Sequence, residues 1–279
     1  MTLIDKAHTQ YTRVLVAYWD NQMKALKGKV AFITGVSRKN GIGFGIAKRL
    51  ATMGADLYLH SFAPYDRQFS SVGEVGDPVT LIRELTGDGC KVEHMEADFF
   101  DAQSPAHIMK DAIEKFGHVD ILILNHTHDT LKTLEELTSE EIDRHLIVNV
   151  RAALLLIQEY AKQPDGRSGG RIILLTSGQH LGPMPHLAYV ASKGALHQLT
   201  SSLSDYFIGK GVTVNTVNPG PTKTYYPSEE LDHAVLQRMP LGRWGEPDDA
   251  ARLIGWLASD EARWITGQVI NSEGGFRRG

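Results

Sequence analysis

The chain carries a single cysteine, Cys90, among 279 residues. No internal disulfide can form, so a reducing cytoplasm fits and nothing requires secretion. Also missing is any apolar run near the ~18 residues that a membrane-spanning helix needs. The N-terminal stretch holds Asp5, Lys6, Arg13 and Asp20 without an uninterrupted apolar segment ahead of a small-residue cleavage site, so no signal peptide is expected. Neither sign of charge dominates: 29 Lys and Arg face 33 Asp and Glu, for a net charge of -4. That balance offers nothing to nucleic acid or to an anionic membrane. The 12 histidines fall into no His-Glu-x-x-His pattern and have no cysteine pair beside them, so no metal is expected. His126, His128, His180 and His186 follow strands and are expected as polar lining of a substrate pocket. No internal repeat or low-complexity tract is present.

What is present is a globular balance, 42% hydrophobic and 22% charged, with enough apolar mass for a large core. The length suits one α/β domain, residues 23–279, behind an extension of residues 1–22 that is expected to be dispensable for catalysis. Short β-rich runs at 29–34, 56–60, 91–95, 121–124, 171–176, 212–217 and 267–271 alternate with helical patterns at 42–53, 79–85, 106–116, 140–163, 188–210 and 248–259. The uniformly apolar Ile121-Leu-Ile-Leu124 reads as a strand buried on both faces. Strands separated by helices predict a Rossmann-type, doubly wound parallel sheet. Trp244, Trp256 and Trp264 are expected in the core or at subunit contacts.

Two local patterns carry chemistry. The first strand runs into Thr34-Gly35-Val-Ser-Arg-Lys-Asn-Gly41-Ile-Gly43-Phe-Gly45. Glycines at a first strand-to-helix turn let backbone N–H groups and the positive helix end approach a pyrophosphate. Tyr189-Val-Ala-Ser-Lys193 places a phenol and an ammonium on one face of a helix. An ammonium beside a phenol favours phenolate and so tunes a proton-transfer group. Ser177, at the end of the preceding strand, offers a hydroxyl to a substrate carbonyl oxygen.

Together these motifs resemble the short-chain dehydrogenase/reductase family over residues 28–276. The resemblance implies an Asn149–Ser177–Tyr189–Lys193 catalytic tetrad, with Thr176 the alternative to Ser177. It also implies cofactor contacts from Gly35, Ser37, Arg38, Gly41, Ile42, Gly43, Asp98, Phe99, Asn125, Tyr189, Lys193, Pro219, Gly220 and Thr222. Asp98 matches the acid that binds adenine, and Asn218-Pro-Gly-Pro-Thr222 the segment at the nicotinamide carboxamide. Residues 222–239 stand where the family has a substrate lid. Two departures stand out. Five residues separate Gly35 from Gly41 where the family has three, as in the divergent enoyl-[acyl-carrier-protein] reductase branch. Asn125-His-Thr-His128 stands where Asn-Asn-Ala-Gly is usual.

The implied activity is hydride transfer between a nicotinamide cofactor and a carbonyl or alcohol, similar to the 3-oxoacyl-[acyl-carrier-protein] reductases. In that scheme Ser177 polarises the oxygen, Tyr189 transfers the proton, Lys193 lowers the tyrosine pKa and holds ribose, and Asn149 holds a water. The second strand ends at His60-Ser61 without an acid, and Arg38, Lys39 and Arg67 are nearby. NADP(H) is therefore favoured, with NAD(H) as the alternative. The expected partner is a small carbonyl or alcohol, an acyl thioester among the candidates. The family further implies a homotetramer. An NAD-dependent alcohol or sugar dehydrogenase, an enoyl reductase and a nucleotide sensor remain the competing readings.

Overall fold

A computed structural model describes residues 24–68, 75, 77–86, 89–163 and 169–278. The extension at 1–22 lies outside them. The seven strands are β1 (Val30–Ile33), β2 (Asp56–Ser61), β3 (Val92–Glu96), β4 (Ile121–Leu124), β5 (Arg171–Leu175), β6 (Thr213–Asn218) and β7 (Val269–Asn271). They form one sheet in the order β3-β2-β1-β4-β5-β6-β7, and every neighbouring pair is parallel. The chain returns past β1 to lay down β4, so the strand order reverses between them. Loops leave the two strands there in opposite directions and open a crevice at their carboxyl ends.

The period-2 alternation of each strand decides which helices cover which face. Ala31, Ile33, Ile121, Ile123, Ile173 and Leu175 point to one cluster, with α1 (Ile42–Thr52), α3 (Pro78–Thr86) and α9 (Pro247–Ala258). Phe32, Leu122, Leu124, Ile172 and Leu174 point to the other, with α4 (Ser104–Phe116), α6 (Ala152–Ala161) and α7 (Leu187–Ile208). Both faces are covered, which is why the central strands are apolar throughout. The remaining α-helices are α2 (Ala63–Asp66), α5 (Ser139–Leu146), which packs on α7, and α8 (Glu229–Leu236).

The predicted helix over 140–163 is interrupted. A π turn, Ile147–Arg151, separates α5 from α6. One extra residue per turn is invisible to apolar periodicity, and such bulges concentrate at functional sites. The tryptophans divide: Trp244 is buried, whereas Trp264 is 92% exposed. Among the described residues no helix is long and apolar enough to cross a membrane.

Candidate active site

The crevice at the strand ends is a cavity of about 540 Å³. Its walls include Gly35, Ser37, Arg38, Gly41, Ile42, Gly43, Asp98, Phe99, Asn125, Ser177, Tyr189, Lys193, Pro219, Gly220 and Thr222. The fold thus brings the catalytic-tetrad and cofactor-contact candidates to one cleft except Asn149, which is buried behind its wall.

At the β1 end the glycine turn is a steric requirement. Gly35 has φ +73°, and a Cβ on Gly43 would lie 2.5 Å from the Gly35 carbonyl oxygen. Asn125 ties this loop to β4, its Nδ2 donating to the carbonyls of Thr34 at 3.0 Å and Gly35 at 2.9 Å. Gly41 caps α1 without a side-chain bond, and the first turn of α1 contains no acid. Backbone donors and the positive end of the helix dipole are therefore left to an anion in the cleft, which fits a pyrophosphate.

Two buried histidines brace the same end. His60 stacks on Phe99 at 4.0 Å. Its Nδ1 accepts the Gly35 N–H at 3.2 Å, so Nε2–H donates to the Ala97 carbonyl at 2.9 Å. His126 donates from Nε2 to the Val148 carbonyl at 3.0 Å, leaving Nδ1 to accept the Thr34 hydroxyl at 2.8 Å. Burial holds His60 down to about 4 and His126 well below the usual histidine range. Both are neutral braces.

At the β5 end the groups are reactive. Ser177 stands beside the Tyr189 phenol, and its hydroxyl donates to Met184 Sδ at 3.7 Å. The Thr176 hydroxyl is buried and donates to the Lys193 carbonyl at 3.0 Å, so of the two adjacent hydroxyls that of Ser177 is the one that acts on the phenol. Lys193 Nζ donates to the Leu175 carbonyl at 3.0 Å and lies 5.6 Å from the Tyr189 ring centroid. Desolvation lowers Lys193 to about 8, against the opposing field of Asp129. Tyr189 is pushed up, first by burial and then by Asp129, while Ser177 pulls it down. Burial is the largest influence on Tyr189 in the chain by itself.

Asn149 is tied into the wall by its side chain. Its Oδ1 accepts the His128 N–H at 2.6 Å, and its Nδ2 donates to the His128 carbonyl and to Ser192 Oγ, both at 2.9 Å. Ser192 Oγ donates on to the Tyr189 carbonyl at 2.8 Å. The side-chain amide thus joins the β4 loop to the helical turn that bears the tyrosine.

Some cleft residues, Tyr65 and Asp129 among them, had no sequence signal. Tyr65 brackets residue 129, its hydroxyl donating to the Asp129 carbonyl at 2.7 Å and accepting the Asp129 N–H at 2.8 Å. The Asp129 carboxylate meets His186 Nδ1 at 3.0 Å. Trp244 lines the cleft with its buried Nε1–H unpartnered among the described residues. Arg38 Nε pairs with Asp66 at 3.1 Å, and its Nη1 donates to the Thr224 carbonyl at 3.0 Å.

Other expectations fail locally. Lys39 pairs with Glu84 at 2.6 Å, and neither Lys39 nor Arg67 is part of the cleft wall. Of the four loop histidines, His126 and His128 line the cleft. His180 packs on His197 at 4.5 Å, and His186 reaches the site through Asp129 and edge-to-face against the Tyr189 ring at 6.3 Å. The lid segment contributes Thr222, Thr224, Tyr225, Leu231 and Val235 to the cleft, but Tyr226 is 72% exposed.

The family model described as enoyl-(acyl carrier protein) reductase matches residues 35–277. The oxidoreductase YjdA of Bacillus subtilis is 41% identical over 254 residues, covering 90% of this chain and 98% of its own. A solved short-chain dehydrogenase/reductase from Serratia marcescens superposes with a TM-score of 0.80 at 35% identity, over 90% of this chain and 99% of that one. A short-chain dehydrogenase from Burkholderia cenocepacia, solved in complex with NADP, gives a TM-score of 0.80 at 32% identity over 90% and 98% of the two chains. With the parallel seven-stranded sheet and its cleft, these matches establish that the chain is an oxidoreductase of the short-chain dehydrogenase/reductase family.

Proposed function

We propose that the chain is a carbonyl reductase favouring NADP(H), acting on a small-to-medium ketone or 3-oxoacyl compound. The observation that carries this reading is the Ser177–Tyr189–Lys193 cluster in the same cleft as an uncapped glycine turn. The NADP-bound Burkholderia neighbour supports the cofactor class. Gly35, Ser37 and Gly41–Gly43 would hold the pyrophosphate. Asp98 and Phe99 would flank the adenine, and Asn125 would keep the loop in register. Pro219, Gly220 and Thr222 would meet the nicotinamide carboxamide. When bound, the nicotinamide supplies the hydride.

Ser177 aligns the carbonyl oxygen with the Tyr189 hydroxyl. Because burial keeps Tyr189 protonated, it enters reduction as the proton donor. The Lys193 ammonium, 5.6 Å from the ring, then balances the phenolate charge. Tyr225, Leu231, Val235 and Trp244 give the lid side an apolar wall suited to an alkyl or acyl body. Asp129 and Arg144 oppose them and suit a polar head.

A second reading, enoyl reduction, is favoured by the family model's description and by the long glycine loop. The four-residue Tyr–Lys spacing supports the carbonyl reading. Cofactor oxidation with a ketone, a 3-oxoacyl thioester, an enoyl thioester and a free sugar separates them. Turnover confined to the enoyl thioester overturns the carbonyl reading; turnover confined to the sugar overturns only the acyl part. Exposed Ile142, Leu146 and Leu154 along α5 and α6 give the implied homotetramer an apolar surface, which light scattering tests.

A further inference from the structure

Where the loop after β4 meets α5, at the edge of the cleft, three side chains converge that the redox chemistry above does not use. Glu141 and His145 stand one turn apart on α5, and His128 faces them from the loop after β4. One ligand-type atom from each lies within 4.8 Å of the other two. His128 Nε2 is 4.0 Å from Glu141 Oε2, and the two imidazoles meet edge to face at 4.7 Å. We propose that His128, Glu141 and His145 bind one divalent transition-metal ion, zinc by preference.

Three features separate this cluster from ordinary polar packing. His128 Nε2 is buried without a hydrogen-bond partner among the described residues. An unpaired buried ring nitrogen carries a desolvation cost that a ligand would remove. His145 is fully buried and its tautomer is set: Nδ1–H donates to the Glu141 carbonyl at 2.7 Å, so Nε2 keeps its lone pair. Donation of the far ring N–H to a backbone carbonyl is how metal-binding histidines are usually oriented. Glu141 is held in turn, its Oε2 accepting the Thr130 hydroxyl at 2.8 Å.

Two imidazoles and one carboxylate select zinc, cobalt or nickel over calcium and magnesium, which take oxygen ligands. Three protein ligands leave a fourth position. The nearest further carboxylate is Asp129, whose Oδ1 is 4.0 Å from His145 Nε2. The nearby cation, Arg144, is bound to Glu140 at 3.0 Å. The ion must displace one contact, the long 3.3 Å hydrogen bond from the Thr130 N–H to His145 Nε2. Metal–nitrogen bonds of about 2.0–2.1 Å require the ligands to close together. Since Asn149 holds the His128 backbone, the bound ion fixes a segment that runs from α5 to the cleft wall. Its role is structural, and the proposal stands whether or not the carbonyl-reductase reading holds.

The test is titration of chelator-treated full-length protein with Co2+, followed by its visible absorption, and then displacement by Zn2+. We expect one site per chain, with Glu141→Gln and His128→Gln each weakening Co2+ binding at least about tenfold. Excess Zn2+ should raise the melting temperature of wild type but not of either variant. Anomalous scattering at the zinc edge on wild-type crystals provides a reading independent of how the variants fold. Density between the three ligand atoms supports the site. Its absence there, or cobalt affinity unchanged in both folded variants, overturns it.

Discussion

At the glycine-turn end of the cleft, buried polar groups are neutral and satisfied: Thr34 bonds His126 and Asn125, and His60 bonds the Gly35 N–H and the Ala97 carbonyl. At the Tyr189 end they are ionisable and displaced from their ordinary protonation ranges, Tyr189 upward and Lys193 downward. The first arrangement holds a ligand without changing charge. The second stores the capacity to move a proton. One cleft therefore separates binding from chemistry along its length, and substitutions at the two ends should fail differently.

The largest effect belongs to the reactive end. Tyr189→Phe should lower turnover at least about a hundredfold, the scale of a lost acid–base group, with cofactor affinity nearly intact. Steady-state rates and cofactor titration by fluorescence check both halves. A folded variant keeping more than about a tenth of wild-type turnover would remove Tyr189 from the mechanism.

Gly43→Ala should fail in the opposite way. The new Cβ would sit 2.5 Å from the Gly35 carbonyl oxygen and 2.7 Å from Asn125 Nδ2, so the turn must shift. We expect cofactor affinity to fall about tenfold or more, with a lower melting temperature and a smaller loss in saturated turnover. An unchanged cofactor Kd would mean that the turn does not carry the anion.

How far these features were legible follows from what periodicity can encode. The central strands were readable because buried parallel strands are short apolar runs, as in Ile121–Leu124 and Ile172–Leu175, whereas half-exposed β3 was readable from its place between helical patterns. The glycine turn and Tyr189–Lys193 were readable because their geometry is local. The choice between Thr176 and Ser177 was open in the sequence, since their spacing to Tyr189 differs by one. Strand register separates them geometrically by burying Thr176 and leaving Ser177 half-exposed. Tyr65, Asp129 and His145 could not be read, because loops bring them together over long separations. The π turn was hidden for a different reason: it changes the helix by one residue without changing composition.

Proton linkage gives each end a pH signature. Lys193 loses its charge as pH rises through about 8, while Tyr189 stays protonated beyond that. Saturated reduction should therefore fall on the alkaline side of about pH 8, by about tenfold per unit at the limit, and Lys193→Arg should move that limb upward. A profile flat to pH 10 would show that the ammonium charge is not needed. At the neutral end the sign concerns stability. His60 has a folded value of about 4 against about 6.5 unfolded, so below pH 6.5 the unfolded chain binds the extra proton. Stability should drop by about 3 kcal/mol between pH 6.5 and 4 from this group. Urea unfolding of wild type and His60→Gln across that range should show a shallower decline in the variant.

The smallest effect lies at a charged pair of the glycine-turn end. Arg38 is the only guanidinium at the glycine-turn end among the described cleft residues, and Asp66 already holds it at 3.1 Å. Burial raises Asp66, but Arg38 and Ser37 oppose that shift, so the pair is a contact between charges partly removed from water. A 2′-phosphate would compete with Asp66 for the guanidinium, whereas a ribose hydroxyl would accept the pair as it stands. The preference for NADPH over NADH should therefore be modest, several-fold in kcat/KM. Asp66→Asn should widen it by freeing Arg38, and Arg38→Ala should erase or invert it. Initial rates with both reduced cofactors decide the matter. Clearly higher efficiency of the wild type with NADH, or no response of the ratio to either substitution, would move the 2′-phosphate site away from Arg38 and leave the contrast between the two ends to the histidines alone.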